Sequence, residues 1–206
     1  MKRILLCIAV AALGLTLVTN AARAQVDLPT NSHPATDAYP GWKLGVQMWT
    51  FRKYTLMEGI EKTDSLGLDW VEAFPGQKVG GPYPDATFGP GMPDKVKKAV
   101  KKKLDRADVQ LSNFGVVGLP NNRKKCRRVF EFAEEMDVQT IVSEPPMKAL
   151  DMIEGLCKRY KIPVAIHNHP KPSRYWNPDK VLRASKGHDG WIGACVDPGH
   201  WERSGV

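Results

Sequence analysis

Two strand-like segments of this chain each end in side chains of the kind that hold metal ions: Val-Ala-Ile-His-Asn-His-Pro at 164–170 and Ile-Gly-Ala-Cys-Val-Asp-Pro-Gly-His at 192–200. A strand turns successive side chains to opposite faces. Ala165, His167 and His169 therefore share one face of the first segment, and Gly193, Cys195 and Asp197 share one face of the second. Val164, Ile166, Ile192 and Val196 take the other face, where they are expected to bury outward against helices. Small residues followed by imidazole or carboxylate at the C-terminal end of a strand mark the inward, chemical end of a (β/α) barrel.

The rest of the chain supports that reading. Strands are expected at 44–51, 70–74, 109–115, 139–143, 163–167 and 191–196, and helices at 56–66, 94–107, 123–136, 149–160 and 178–184. A Gly/Pro-rich loop is expected over 75–93. Strands that alternate with helices form a parallel sheet with right-handed crossovers. Gln47, Glu72, Ser112, Glu144, His167 and Asp197 fall near the C-terminal ends of successive strands, and the opposite parity is mostly apolar. A doubly wound sheet would be apolar on both faces and would carry a glycine fingerprint after its first strand. Trp49-Thr50-Phe51-Arg52 stands there instead. The predicted fold is α/β: a (β/α)8 TIM barrel, of which six strands and about five helices lie in this chain. A complete barrel needs about 250 residues, so the chain reads as part of a longer protein, with a sixth helix due near its end.

The N-terminus reads as a separate element. Met1-Lys2-Arg3 is positive, Ile4 to Val18 is almost wholly apolar, and Ala22-Arg23-Ala24 offers a cleavage site. This is the pattern of a secretory signal peptide over residues 1–24, which predicts a mature start at Gln25 and a periplasmic or secreted protein with no membrane attachment after cleavage. Residues 25–42 read as a disordered leader and 43–206 as the partial barrel. Without Lys2, Arg3 and Arg23 the formal charge of +8 drops to +5. Much of that excess lies in 95–106 and 123–128. In the first run Val96, Ala99, Val100, Leu104 and Ala107 recur at helical spacing, which puts the lysines on a solvated outer face. No nucleic-acid-binding motif with interleaved aromatics is present. Cys126, Cys157 and Cys195 lack the spacing of a zinc cluster. They read as three buried thiols, and one disulfide remains compatible with the spacing.

Three segments carry a family resemblance: Leu-Gly-Val-Gln-Met-Trp-Thr-Phe at 44–51, Gly-Leu-Asp-Trp-Val-Glu at 67–72, and Ala-Cys-Val-Asp-Pro-Gly-His-Trp at 194–201. They resemble the xylose-isomerase-like TIM barrels, a superfamily of sugar isomerases and epimerases, inosose dehydratases and endonuclease IV-type repair enzymes. Asp-Pro-Gly-His at 197–200 is the most specific match, to the family's D-x-x-H after the sixth strand. The resemblance implies a divalent metal (Mn, Co, Ni, Zn or Mg) at the barrel mouth. It implies His167 and Asp197 as metal ligands and His200 as a substrate contact. His167 stands where the family pattern A-L-E-N-H has Glu, and the family's seventh- and eighth-strand ligands, His and Glu, would lie beyond Val206.

Such a site supports proton abstraction next to a carbonyl. The expected function is that of an exported, metal-dependent sugar isomerase or epimerase acting on a sugar or keto sugar. Elimination from a 3-keto-glycoside or inosose is the first alternative, and a non-catalytic, truncated carbohydrate-binding protein the second. Glu144 and His169 are the candidate catalytic residues, and with His167 in place of Glu a carboxylate base is expected from Glu144, Glu72 or the missing eighth strand. Trp49, Glu72, His200 and Arg203 are the candidate substrate-binding residues. Glu72 and Glu144 could equally cap helices or pair with lysines, and Trp49, Trp176 and Trp201 could pack in the core. Asn168 alternates away from the site and reads as structural.

Overall fold

The computed structural model of the chain describes residues 41–188 and 190–206. The expected signal peptide and most of the expected leader lie outside the described residues. Fourteen elements follow: β1 Gly45–Gln47, α1 Leu56–Ser65, β2 Trp70–Ala73, β3 Lys78–Gly80, β4 Tyr83–Thr87, α2 Asp94–Arg106, β5 Gln110–Phe114, α3 Arg123–Glu135, β6 Thr140–Ser143, α4 Leu150–Tyr160, β7 Val164–His167, α5 Pro178–Ser185, β8 Ile192–Cys195 and α6 Pro198–Glu202. Six strands form one all-parallel sheet in the order β1-β2-β5-β6-β7-β8, and β3 and β4 form a separate antiparallel hairpin. Each strand lies beside the next of its kind in sequence, with a helix in every crossover from β2 onward to β8 and α1 between β1 and β2. That is the winding of a barrel, and it is the expected fold.

Amphipathic helices cover the outer face. On α2 the apolar stripe of Val96, Val100 and Leu104 is buried. Its lysines are not simply solvated: Lys97 pairs with Asp94 and Glu135, Lys101 with Asp137, and Lys103 with Glu61. On α4, Leu150, Ile153, Leu156 and Cys157 are buried. Phe88, Phe114 and Phe132 meet edge-to-face, with centroids 5.1–5.5 Å apart. Such pairs are each worth about 0.5–1.5 kcal/mol beyond the area they bury, and they tie the hairpin's far end to β5 and α3. All three cysteines of the described residues are free; Cys126 and Cys157 are buried and Cys195 is half-buried.

Four expectations require correction. The first strand ends at Gln47, and Met48–Phe51 form a single 3₁₀ turn. The Gln47 side chain causes this, since its Oε1 accepts the Trp49 N–H at 2.6 Å and folds the chain over. The loop at 75–93 contains the β3–β4 hairpin, whose turn uses Gly80 and Gly81 at positive φ. A β-carbon on Gly80 would lie 2.3 Å from the Thr55 hydroxyl oxygen, so only glycine lets this turn seat against the start of α1. Val196 is not buried outward: it lies just past β8, the last strand in the sheet order, and is 52% exposed. Ser112 does not reach the mouth, because the β2–β5 register slips between Val71 and Glu72. Its hydroxyl donates to the Val71 carbonyl at 3.1 Å, and Asn113 becomes the partner of Glu72.

Candidate active site

Parallel pairing brings the C-terminal ends of all six strands to one rim. Gln47 pairs with Glu72, Glu72 with Asn113, and His167 with Cys195. Glu144 follows β6 directly, while His169 and Asp197 each lie two residues past their strands. The rim has two walls of different character.

On the first wall Glu72 is only 8% exposed. Gln47 Nε2 donates to its Oε1 at 3.4 Å and Asn113 Nδ2 donates to its Oε2 at 3.1 Å. Burial pushes the Glu72 carboxyl above the ordinary carboxylate range, and the two amides pull it partly back. Trp49, 57% exposed, stands above this wall, edge-on to Phe74 at 5.1 Å with the Arg52 guanidinium 5.8 Å from its ring.

On the second wall three imidazoles crowd together. His167 and His169 have centroids 4.5 Å apart, His169 and His200 5.1 Å, and His167 and His200 5.7 Å. Glu144 Oε1 accepts from the His169 backbone N–H at 2.9 Å and stands 3.0 Å from His169 Nδ1. The Ser173 hydroxyl lies 3.0 and 3.1 Å from the two Glu144 oxygens. Asp197 begins α6, where its Oδ1 accepts the His200 N–H at 3.0 Å and its Oδ2 lies 3.5 Å from His200 Nε2. Arg203 is exposed and contacts His200 Nδ1. Burial lowers the His167 pKa, with His169 adding to the effect. Burial also lowers that of His200, against the pull of Asp197. Both rings are thus held toward the neutral form, the form that ligates metal. Cys195 is pushed up to about 12 by burial, with Glu72 and Asp197 adding to it, so its sulfur stays a thiol.

Ligand atoms of His167, Asp197 and His200 all lie within 4.8 Å of one another, as do those of Glu144, His167 and His169. Two ligands on one cation at 2.0–2.2 Å stand at most about 4.4 Å apart, so both groups are at or close to ligating distance. His167 belongs to both groups, and its buried Nδ1 has no hydrogen-bond partner. An unpaired buried polar atom costs about 1–3 kcal/mol, and a bound cation would remove that cost. The residues therefore fit a divalent ion, and a nitrogen-and-oxygen donor set suits Zn, Mn, Co or Ni.

The structure brings together six of the eight residues singled out from sequence on one wall: Glu144, His167, His169, Asp197 and His200, with Arg203 attached to His200. Glu72 and Trp49 belong to the other. Asn113 and Ser173 are partners that the sequence reading did not single out, and Gln47, which it places at the mouth, is given no role there. Strand parity pointed to Ser112 rather than Asn113, and only the bulge reverses that choice. Ser173 lies in the loop after β7, where no periodicity operates.

No protein-family model and no curated protein sequence matches the chain. Solved structures do. An uncharacterised protein from Parabacteroides distasonis is 35% identical with a TM-score of 0.68, over 80% of this chain and 66% of that one. D-psicose 3-epimerase from Clostridium cellulolyticum, solved with D-tagatose, is 13% identical with a TM-score of 0.56, over 73% and 61%. The 3-keto-D-glucoside 4-epimerase of E. coli is 13% identical with a TM-score of 0.51, over 73% and 66%. The chain therefore spans just under two thirds of the length of these proteins, and the two epimerases share its fold at identities that speak for architecture alone.

Proposed function

The chain is a xylose-isomerase-like TIM barrel in fold, and from that premise we propose an exported, metal-dependent sugar isomerase or epimerase that moves a proton next to a carbonyl. The observation that carries this reading is the second wall: two ligand groups sharing His167, whose buried Nδ1 has no partner within the protein. His167 and Asp197 are the proposed metal ligands, with His200 beside them. A divalent cation there would polarise a carbonyl oxygen and make the adjacent C–H more acidic.

The chain's own groups do the rest. With Nδ1–H given to Glu144, His169 keeps Nε2 as its basic nitrogen. His169 then takes the proton from the carbon beside the carbonyl, and the electron pair moves onto oxygen as an enediolate. Glu144 stabilises the imidazolium that forms, and Ser173 and the His169 backbone hold Glu144 in place. Return of that proton by His169 to the neighbouring carbon on the same face gives the isomer, and protonation of the opposite face by a second donor, here solvent, gives the epimer. On the first wall Glu72, held by Gln47 and Asn113, would bind a sugar hydroxyl with Trp49 as a face for the ring, and on the second wall Arg203, beside His200, would meet a polar substituent. The second reading uses the same abstraction to eliminate a leaving group from a 3-keto-glycoside or inosose. It is favoured by His167, which stands where the family pattern has a carboxylate and so leaves one fewer group to return a proton. Export rests on the signal-like residues 1–24, and N-terminal sequencing of secreted protein should return Gln25.

The test is exchange of solvent deuterium into a panel of keto sugars by the full protein loaded with Mn²⁺, Co²⁺, Ni²⁺ or Zn²⁺. Exchange with retention of all substituents supports epimerisation, and release of an aglycone supports elimination. Neither event across the panel sinks the enzyme reading, and sugar binding that survives chelation would point to the carbohydrate-binding protein instead.

A further inference from the structure

Strand parity turns Asn168 away from its neighbours His167 and His169, yet its side chain is fully buried and both halves of its amide go to one residue. Asn168 Oδ1 accepts the Asp197 N–H at 2.8 Å, and Asn168 Nδ2 donates to the Asp197 carbonyl at 2.8 Å. The β7–β8 ladder ends at the His167–Cys195 pair. Asn168 lies one residue past β7 and Asp197 two residues past β8, so the side-chain amide supplies the rung that the backbone no longer forms.

The consequence reaches the ligands. Asp197 is also the first residue of the α6 turn, where its Oδ1 holds the His200 N–H. A bond to the backbone of Asp197 therefore sets the position of Asp197 and His200 relative to His167, which is the residue covalently joined to Asn168. We infer that Asn168 is the positioning residue of this site: by clamping the backbone of Asp197 it fixes the spacing of the His167–Asp197–His200 group. The inference rests on the metal reading above. The chemistry is specific to asparagine. Aspartate offers a second acceptor to the Asp197 carbonyl and buries a charge, alanine leaves the Asp197 N–H unpaired and its C=O with only the His200 N–H at 3.2 Å, and glutamine is one methylene too long for two bonds of 2.8 Å.

The test compares Asn168→Asp and Asn168→Ala with the unaltered full chain by calorimetric titration with Zn²⁺ and Mn²⁺. It also measures melting of the metal-free proteins and amide hydrogen exchange over 196–204. Loss of a group that orients a ligand is expected to weaken metal binding about 10- to 100-fold. Exchange at the Asp197 amide should accelerate more in Asn168→Ala than in Asn168→Asp, which keeps an acceptor for that N–H. A lower melting temperature with unchanged metal affinity would overturn the inference, because Asn168 would then only support the fold. Unchanged exchange at Asp197 in Asn168→Ala would overturn it, and unchanged metal affinity in the near-isosteric Asn168→Asp would overturn it if Asn168→Ala does not fold. If the unaltered protein took up neither cation, the metal reading would fall separately, and the exchange result alone would decide whether the clamp exists.

Discussion

On the wall built by β1, β2 and β5, Glu72 is 8% exposed and both its oxygens are met by amide donors. On the wall built by β6, β7 and β8, His167 is half-buried and its Nδ1 has no partner. Native interiors satisfy nearly all their buried polar atoms, and this unpaired nitrogen belongs to a ring that shares both candidate ligand groups. The first wall is complete in itself and, in the proposed reading, meets the substrate. The second keeps an unpaired donor and is the side where the proposed cation would bind. In the proposed reading the same rim therefore separates recognition from chemistry, and each side should be open to damage without the other.

The largest effect should come from Asp197→Asn. Asparagine keeps the size and the ability to accept the His200 N–H, so α6 should still form. It removes the one carboxylate in the His167–Asp197–His200 group. Metal binding should fall by at least about a hundredfold and activity should vanish, while the melting temperature of metal-free protein stays close to that of the parent. Activity retained with full metal affinity would move the ion to the other group, Glu144, His167 and His169.

Glu144→Gln comes next and separates ligand from base. If Glu144 acts through His169, the glutamine leaves metal affinity nearly intact and kcat falls about 10²–10⁴-fold. Isothermal titration beside steady-state kinetics reads both. A parallel loss of metal affinity would make Glu144 a ligand and leave His169 without its orienting carboxylate.

Much of this architecture was readable in the chain, because strand and helix periods differ and each element buries one face. Val96, Val100 and Leu104 declare α2, and Val164 and Ile166 declare β7. The convergence of His167, Asp197 and His200 was legible for the same reason, since parallel strands deliver their C-terminal residues to one rim. What escaped depends on interactions that have no period. The β3–β4 hairpin hides in a stretch rich in Gly and Pro, although Gly80-Gly81 between short β-prone runs is a hairpin signal. Asn113 escaped because a bulge shifts parity by one residue. Asn168 was read as structural, and it is buried, but its grip on the Asp197 backbone joins two strand ends that no local pattern relates.

A smaller effect belongs to the first wall. Glu72→Gln keeps the shape and removes the titration. Burial raises the Glu72 pKa above its ordinary 4.5, so folding favours the protonated form. That stabilisation is fully present below the ordinary carboxylate value and is lost as pH rises through the raised folded value. Between about pH 4 and pH 8, unaltered protein should therefore lose melting temperature relative to Glu72→Gln as pH increases. A flat difference would mean that Glu72 stays ionised throughout. KM should rise in the variant with metal affinity unchanged, which keeps the two walls separable.

The smallest effect is expected from Trp49→Ala. The ring is 57% exposed and makes one edge contact, to Phe74 at 5.1 Å, so little of the fold depends on it. Its backbone N–H, which closes the 3₁₀ turn on Gln47, survives the substitution. What disappears is a flat apolar face at the rim beside Glu72. A face of that kind contributes about 1 kcal/mol to an aromatic or ring contact, which corresponds to a rise in KM of about fivefold. Neither kcat nor metal affinity should move, because Trp49 touches no group of the second wall. Trp49→Phe should restore most of the binding, since a benzene ring offers a similar face. A fall in kcat would bring Trp49 into contact with the reacting part of the substrate and erase the division between the walls. An unchanged KM would place the substrate entirely on the histidine side.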